Sequence, residues 1–196
     1  MKNTKKMRLS LKFPNNLLRI IYLFSLMNKK HIYIRDATEK DLAGILTVNC
    51  LSQRTEKANG LIQKRTKEEF QKLLRICKRF IIAESEGKIV GYVILLDERA
   101  PYPENEIFSF YPTRYHSFIF IDSVATHPDF RRQGVASAMY KAFLSKEKKR
   151  ILVDFLVEPR NPESIGFHEH LGFRSLKDYI HLKNGMTAEV YEYKQR

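Results

Sequence analysis

The 196-residue chain has two cysteines, Cys50 and Cys77, and no tryptophan. Two cysteines cannot build a disulfide framework, and no His, Cys, Asp or Glu spacing suggests a metal site. Both sit at apolar positions of expected helices and read as small core residues in reduced, intracellular surroundings. There is no P-loop, no G-x-G-x-x-G dinucleotide fingerprint and no defensible Ser-His-Asp order, which removes three common enzyme classes. No internal repeat or low-complexity tract occurs. The apolar run Leu17–Leu26 is interrupted by Arg19 and falls far short of the ~20 residues needed to cross a bilayer. It is followed by no A-x-A-type cleavage site, which argues against a signal peptide.

Acid is missing from the first 35 residues, which hold nine Lys and Arg. The rest of the chain carries 26 basic and 22 acidic residues, so most of the formal charge of +13 belongs to the head. That distribution weakens a nucleic-acid reading, because an electrostatic footprint should lie on the folded body. We read residues 1–30 as an N-terminal extension, with Met27 opening the functional chain or the head serving as a weak membrane-surface anchor. Residues 31–196 read as one domain. With 43% apolar residues and mixed charge, this part is expected to be globular, with a core of its own.

The elements follow from periodicity. Residues 32–35 read as a strand. Thr38-x-x-Asp41 marks a helix start followed by Leu42, Ile45, Leu46 and Asn49/Cys50. Thr66-x-x-Glu69 is a capping box ahead of Phe70, Leu73, Leu74 and Cys77. Residues 80–84 and 88–96 form two strands around Glu86-Gly87. Residues 97–116, with three prolines and several aromatics, read as a long loop that lines a substrate or forms a surface insertion. A strand over 118–126, a helix over 134–147 and a strand over 151–157 imply a right-handed parallel crossover. Asn161 and Pro162 then start a helix that stops at Gly172. Strands over about 173–182 and 187–194 close the chain around Asn184-Gly185.

The chemistry is concentrated where the strand 118–126 meets its helix. Arg131-Arg132-Gln133-Gly134-Val135-Ala136 is a basic, glycine-containing turn at a helix N-terminus, a construction that suits a pyrophosphate. Gly134 gives the turn freedom in φ and lets a ligand approach closely. Thirty residues on comes Asn161-Pro162-x-Ser164, then Phe167-His168 and Gly172-Phe173.

These two motifs, in this order and on these elements, resemble the GNAT superfamily of N-acetyltransferases. Arg131-x-x-Gly134-x-Ala136 matches the cofactor loop, and Asn161, Ser164, Phe167, His168, Gly172 and Phe173 match the motif that follows it. The second motif is similar to that of a bacterial subgroup of predicted acetyltransferases. The resemblance covers about residues 31–195 and leaves out the head.

It implies an α/β (α+β) fold: a mixed, mostly antiparallel sheet of about six to seven strands with a central parallel β-α-β crossover and about four helices. It implies a cytoplasmic enzyme that moves an acetyl group from acetyl-CoA directly to a primary amine of a small molecule or peptide, with no metal, and a possible homodimer. The pantetheine arm would lie in a splay between strands 118–126 and 151–157, bonding main-chain groups of Val124 and Thr126, with Ala125 also beside the cofactor. An N–H near Val124 would polarise the thioester carbonyl. Arg131, Arg132, Gln133, Gly134, Val135 and Ala136 would hold the pyrophosphate, with Asn161, Ser164 and Phe167 beside the cofactor.

For proton transfer, His168 stands where the family most often has a tyrosine that protonates the departing thiolate. Glu158, Asp122 and Glu84 are candidate bases. Asp122 lies within an apolar strand, on the face of Phe118, Phe120 and Val124, where a carboxylate is costly unless paired or useful. His127 reads as part of a turn without chemistry. The acids Asp97, Glu98, Glu104 and Glu106 favour a cationic acceptor. Two other readings stay open: a non-catalytic acyl-CoA-binding or sensing module, and a tRNA-directed acetylating toxin.

Overall fold

A computed structural model describes residues 31–53 and 63–194; the reading of the head, and most of the 51–65 segment, fall outside them. Seven strands form one sheet: β1 (Tyr33–Asp36), β2 (Arg79–Ser85), β3 (Lys88–Asp97), β4 (Phe118–Thr126), β5 (Arg150–Leu156), β6 (Phe173–His181) and β7 (Thr187–Tyr193). Their spatial order is β1-β2-β3-β4-β5-β7-β6. All neighbours run antiparallel except β4 and β5. Among the described residues, five α-helices flank the sheet: α1 (Leu42–Gln53), α2 (Lys67–Ile76), α3 (Glu106–Arg114), α4 (Val135–Leu144) and α5 (Pro162–Leu171).

The central strands are apolar on both faces because both are covered. Along β3, Tyr92, Ile94 and Leu96 enter one core with Ile45 of α1, Phe70 of α2 and Phe108 and Tyr111 of α3. Val93 and Leu95 point the other way and pack with Val135, Met139 and Phe143 of α4 and Ile165 of α5. Each such side chain contributes about 1.5–3 kcal/mol by leaving water. Gly91 is where α4 presses closest: a Cβ there would lie 2.9 Å from Val135 Cγ1 and 3.1 Å from the Ala125 carbonyl.

Two expectations change. The 97–116 segment is not a loop throughout, because it contains α3. Asn105 caps that helix by accepting from the Phe108 N–H at 2.9 Å, and Phe108 and Tyr111 anchor it in the core. Pro112 is tolerated in the last turn of a helix held mainly by packing rather than by propensity. Cys50 is exposed and Cys77 half-buried, so neither is a fully buried core residue. The inward stripe of α1 runs through Ile45, Val48, Asn49 and Ser52. Asn49 takes the core place beside Cys50 because its amide donates to the Tyr92 hydroxyl at 2.9 Å.

Candidate active site

The parallel pairing of β4 with β5 is short. Phe118, Ile119 and Phe120 pair with Arg150, Ile151 and Leu152, and then the strands part. The gap opens into a cleft of about 1190 Å³ in the middle of the sheet, walled by residues 121–126 on one side and 153–156 on the other.

Where the strands part, β4 also bulges. Ile94 of β3 faces Ser123 and Leu95 faces Ile121, so Asp122 is the extra residue. A bulge re-aims the side chains beyond it. Val124 accordingly packs with Ile119 and Ile121 rather than sharing the face of Phe118 and Phe120, as simple alternation predicted. The His127 N–H donates to the Val90 carbonyl at 2.9 Å, continuing the β3–β4 ladder. By the alternation of an antiparallel ladder, Val124 and Thr126 turn their main-chain groups away from β3, toward the cleft. The Thr126 carbonyl accepts from Ser52 Oγ at 3.1 Å.

At the mouth of the cleft, His127–Arg131 makes a tight turn in which His127 Nδ1 accepts from the Asp129 N–H. Arg132 and Gly134 both have positive φ, 61° and 83°. Gly134 is the N-cap of α4 and, having no side chain, makes no capping bond. The first intrahelical bond runs from the Ala138 N–H to the Gly134 carbonyl at 2.9 Å. The N–H groups of Val135, Ala136 and Ser137 therefore precede the helical ladder, at the positive end of the helix dipole. Their residues line the cleft together with Arg131, Arg132 and Gly134. Gln133 does not line it and donates to the Asp129 carbonyl at 2.7 Å. On the opposite rim, Asn161 Oδ1 caps α5 by accepting from the Ser164 N–H at 3.0 Å. Asn161, Ser164 and Phe167 all line the cleft.

His168 forms part of the wall, but its nitrogens face inward. Nδ1 lies 2.7 Å from the Ser164 carbonyl, which can only accept, so Nδ1 carries the proton. Nε2 then accepts from the Tyr140 hydroxyl at 2.6 Å. Tyr140, Phe155, Phe167 and Phe173 surround the ring edge-to-face, with centroids 5.0–5.3 Å away. The ring is 1% exposed, and desolvation pushes its pKa down to about 4. This geometry does not fit the expected donor to a thiolate: the ring is neutral and both nitrogens are engaged. His170 is exposed.

The candidate bases are spread apart. Glu158 is exposed, precedes the Glu158–Pro159 cis bond and lies outside the cleft. Glu84 pairs with Arg35 at 3.0 Å. Asp122 does border the cleft, but its side chain is fully buried against Arg65, at 2.6 Å from Nη1. It also accepts from Asn105 Nδ2 at 3.2 Å and Ser123 Oγ at 3.0 Å. Its oxygens are committed to holding the bulge and α3 together. The acids expected to attract a cation are paired as well: Asp97 with Arg99, Glu98 with Lys149 and Glu104 with Lys72, while Glu106 accepts from the Lys183 N–H.

Sequence reasoning missed Asp154. It projects from β5 into the cleft, where the Tyr111 hydroxyl donates to it at 3.3 Å. Desolvation, reinforced by the nearby Asp122 charge, pushes its pKa up to about 7 against the pull of the Tyr111 bond. Among the described residues there is no group of three or more potential metal ligands, and no helix is long and apolar enough to cross a membrane.

The sheet thus parts at its one parallel pair, and uncapped helix N–H groups stand at the mouth of the gap. The family model of the GNAT acetyltransferases matches residues 48–173, and the chain belongs to that family. A comparison with curated proteins returns no match. Among solved structures, the chain is similar to Ard1 from Thermoplasma volcanium, with 18% identity over 84% of this chain and 99% of that one, at a TM-score of 0.62. It is also similar to the ribosomal-protein-alanine N-acetyltransferase from Brucella melitensis, with 20% identity over 83% and 99% of the two chains, at 0.59. At such identities these structures share the fold.

Proposed function

We propose that the protein transfers the acetyl group of acetyl-CoA directly to a primary amine. The observation that carries this reading is the continuity of one cleft, from the uncapped N-terminus of α4 to the β4 bulge. The pyrophosphate rests on the N–H groups of residues 134–137, with Arg131 and Arg132 beside it. The pantetheine arm extends along β4 and bonds the main-chain groups of Val124 and Thr126 in the manner of an added strand. The thioester carbonyl then reaches the bulge, where an N–H near Val124 stabilises the oxyanion.

His168 keeps the wall rigid rather than donating a proton, and the departing thiolate takes one from solvent. This arrangement also favours one competing reading, an acyl-CoA-binding module without turnover, because the usual proton donor is withdrawn. The two separate in one assay: the full chain is incubated with acetyl-CoA and a panel of amines, free thiol is followed, and products are weighed by mass spectrometry. Amine-dependent thiol release with a product 42 Da heavier supports transfer. Tight acetyl-CoA binding without thiol release from any amine favours the binding module.

A further inference from the structure

Building on that reading, we infer that Asp154 is the general base that takes the proton from the acceptor ammonium, and that the acceptor enters from the face of the sheet carrying α1, α2 and α3. The position of Asp154 argues for this. The β4–β5 pairing ends at Leu152, so Asp154 stands just inside the point of the gap, facing the bulge of β4 across it. It shares its face of β5 with Leu152 and Leu156, on the side of Tyr111 and α3. The phosphate-binding turn lies with the opposite core. A thioester lying in the gap would therefore have its carbonyl carbon between the two carboxylates.

Those carboxylates have opposite environments. Asp122 is ion-paired with Arg65 at 2.6 Å and accepts from two further donors. Asp154 makes no ion pair among the described residues, and its neighbour across the gap already has its counter-charge in Arg65. The charged and titratable groups acting on Asp154 are Tyr111 from α3 and Asp122 from β4, the latter paired with Arg65 just ahead of α2. Facing β7 contributes Val190 at its register position. A carboxyl buried beside the gap without a counter-charge is poised near neutral pH, where a base is efficient. The third cleft carboxylate, Glu163, stands exposed on the first turn of α5.

The balanced step follows. The Asp154 carboxylate accepts a proton from R–NH3+, and the freed nitrogen lone pair attacks the thioester carbon. The C=O π pair moves to oxygen, then returns as the C–S bond breaks and its electrons leave on sulfur. The second N–H proton passes to water, leaving the neutral amide. The walls beyond Asp154 are Ile107, Leu156, Leu182 and Met186, so an amine on an apolar stem, n-hexylamine, is the probe.

The test compares the full-length protein with Asp154→Asn and Asp154→Glu, after circular dichroism has shown all three folded. Asp154→Asn should bind acetyl-CoA within about two-fold of the parent. It should lose about 100-fold or more in kcat/KM, together with the ascending limb near pH 7 in the rate profile. Asp154→Glu should recover part of both. Equal rates and an unchanged limb in Asp154→Asn overturn the assignment. If the parent binds acetyl-CoA but does not turn n-hexylamine over, the 13C carboxyl signal missing from Asp154→Asn decides: titration near 7 sustains the base, titration below 5 overturns it. Failure of the parent to bind acetyl-CoA is a different result, since it removes the acetyltransferase reading itself.

Discussion

Asp154 and His168 are displaced in opposite directions, and their effects on stability should cancel until one is removed. Between about pH 5 and 6, the folded protein keeps the Asp154 proton, since that carboxyl titrates at about 7, while the unfolded chain has released it at 3.8. The folded state then binds one proton more, so stability falls by about 1.4 kcal/mol per pH unit. For His168 the unfolded ring is protonated below 6.5, whereas the folded ring stays neutral down to about 4. Here the unfolded state binds one proton more, and stability rises with pH at the same slope. The two slopes sum to nearly zero. Asp41, held down to about 2 by Arg35, loses its contribution only at lower pH. The parent should therefore show an almost level melting temperature from about pH 5 to 6. Asp154→Asn should unmask the histidine, gaining about 1.4 kcal/mol of stability over that unit, or roughly 3–5 °C in Tm. His168→Gln should slope the other way. Scanning calorimetry in buffers of low ionisation enthalpy reads both. A level curve for Asp154→Asn would refute the reasoning, because it would mean that the folded protein does not hold the Asp154 proton in this range.

Asp122→Asn should leave the buried Arg65 guanidinium without its counter-charge and cost about 3–5 kcal/mol in urea unfolding. The double change Asp122→Leu with Arg65→Met should recover most of this, and a single-variant loss below about 1 kcal/mol would show that the pair does not hold the bulge. Gly134→Ala meets open space but keeps a φ of +83°. It should cost about 1 kcal/mol from backbone strain alone and weaken acetyl-CoA, whereas unchanged affinity would detach the turn from the phosphates. Gly91→Ala, crowded by Val135 and Met139, should destabilise by about 1–3 kcal/mol through overpacking, visible as a lower urea midpoint.

What the sequence disclosed was local. Arg131 through Ala136 and Asn161 through Phe173 each announce a helix terminus within a few residues, because caps, glycine and proline act on their immediate neighbours. The period-2 and 3.6 patterns exposed both faces of the sheet for the same reason. What stayed hidden depends on distance. Asp122 becomes a structural partner only because Arg65, 57 positions earlier, reaches it. Asp154 gains its character from burial at the place where two strands part, under Tyr111, 43 positions away. No periodicity records either. His168 occupied the expected motif position, yet Tyr140 on another helix determines which way its nitrogens face. Helix α3 was missed because Pro112 and the cluster of aromatics read as irregular chain, while the core it covers lies on strands elsewhere in the sequence.

The central claim is that the cleft between β4 and β5 holds acetyl-CoA, with its phosphates at the N-terminus of α4. Isothermal titration of the full-length protein with acetyl-CoA tests it most directly, with Arg131→Ala/Arg132→Ala and Gly134→Ala run beside the parent. The account predicts one saturable site in the parent and a several-fold weaker one in each variant. A parent that binds no acetyl-CoA, or variants that bind it as tightly as the parent, would contradict it.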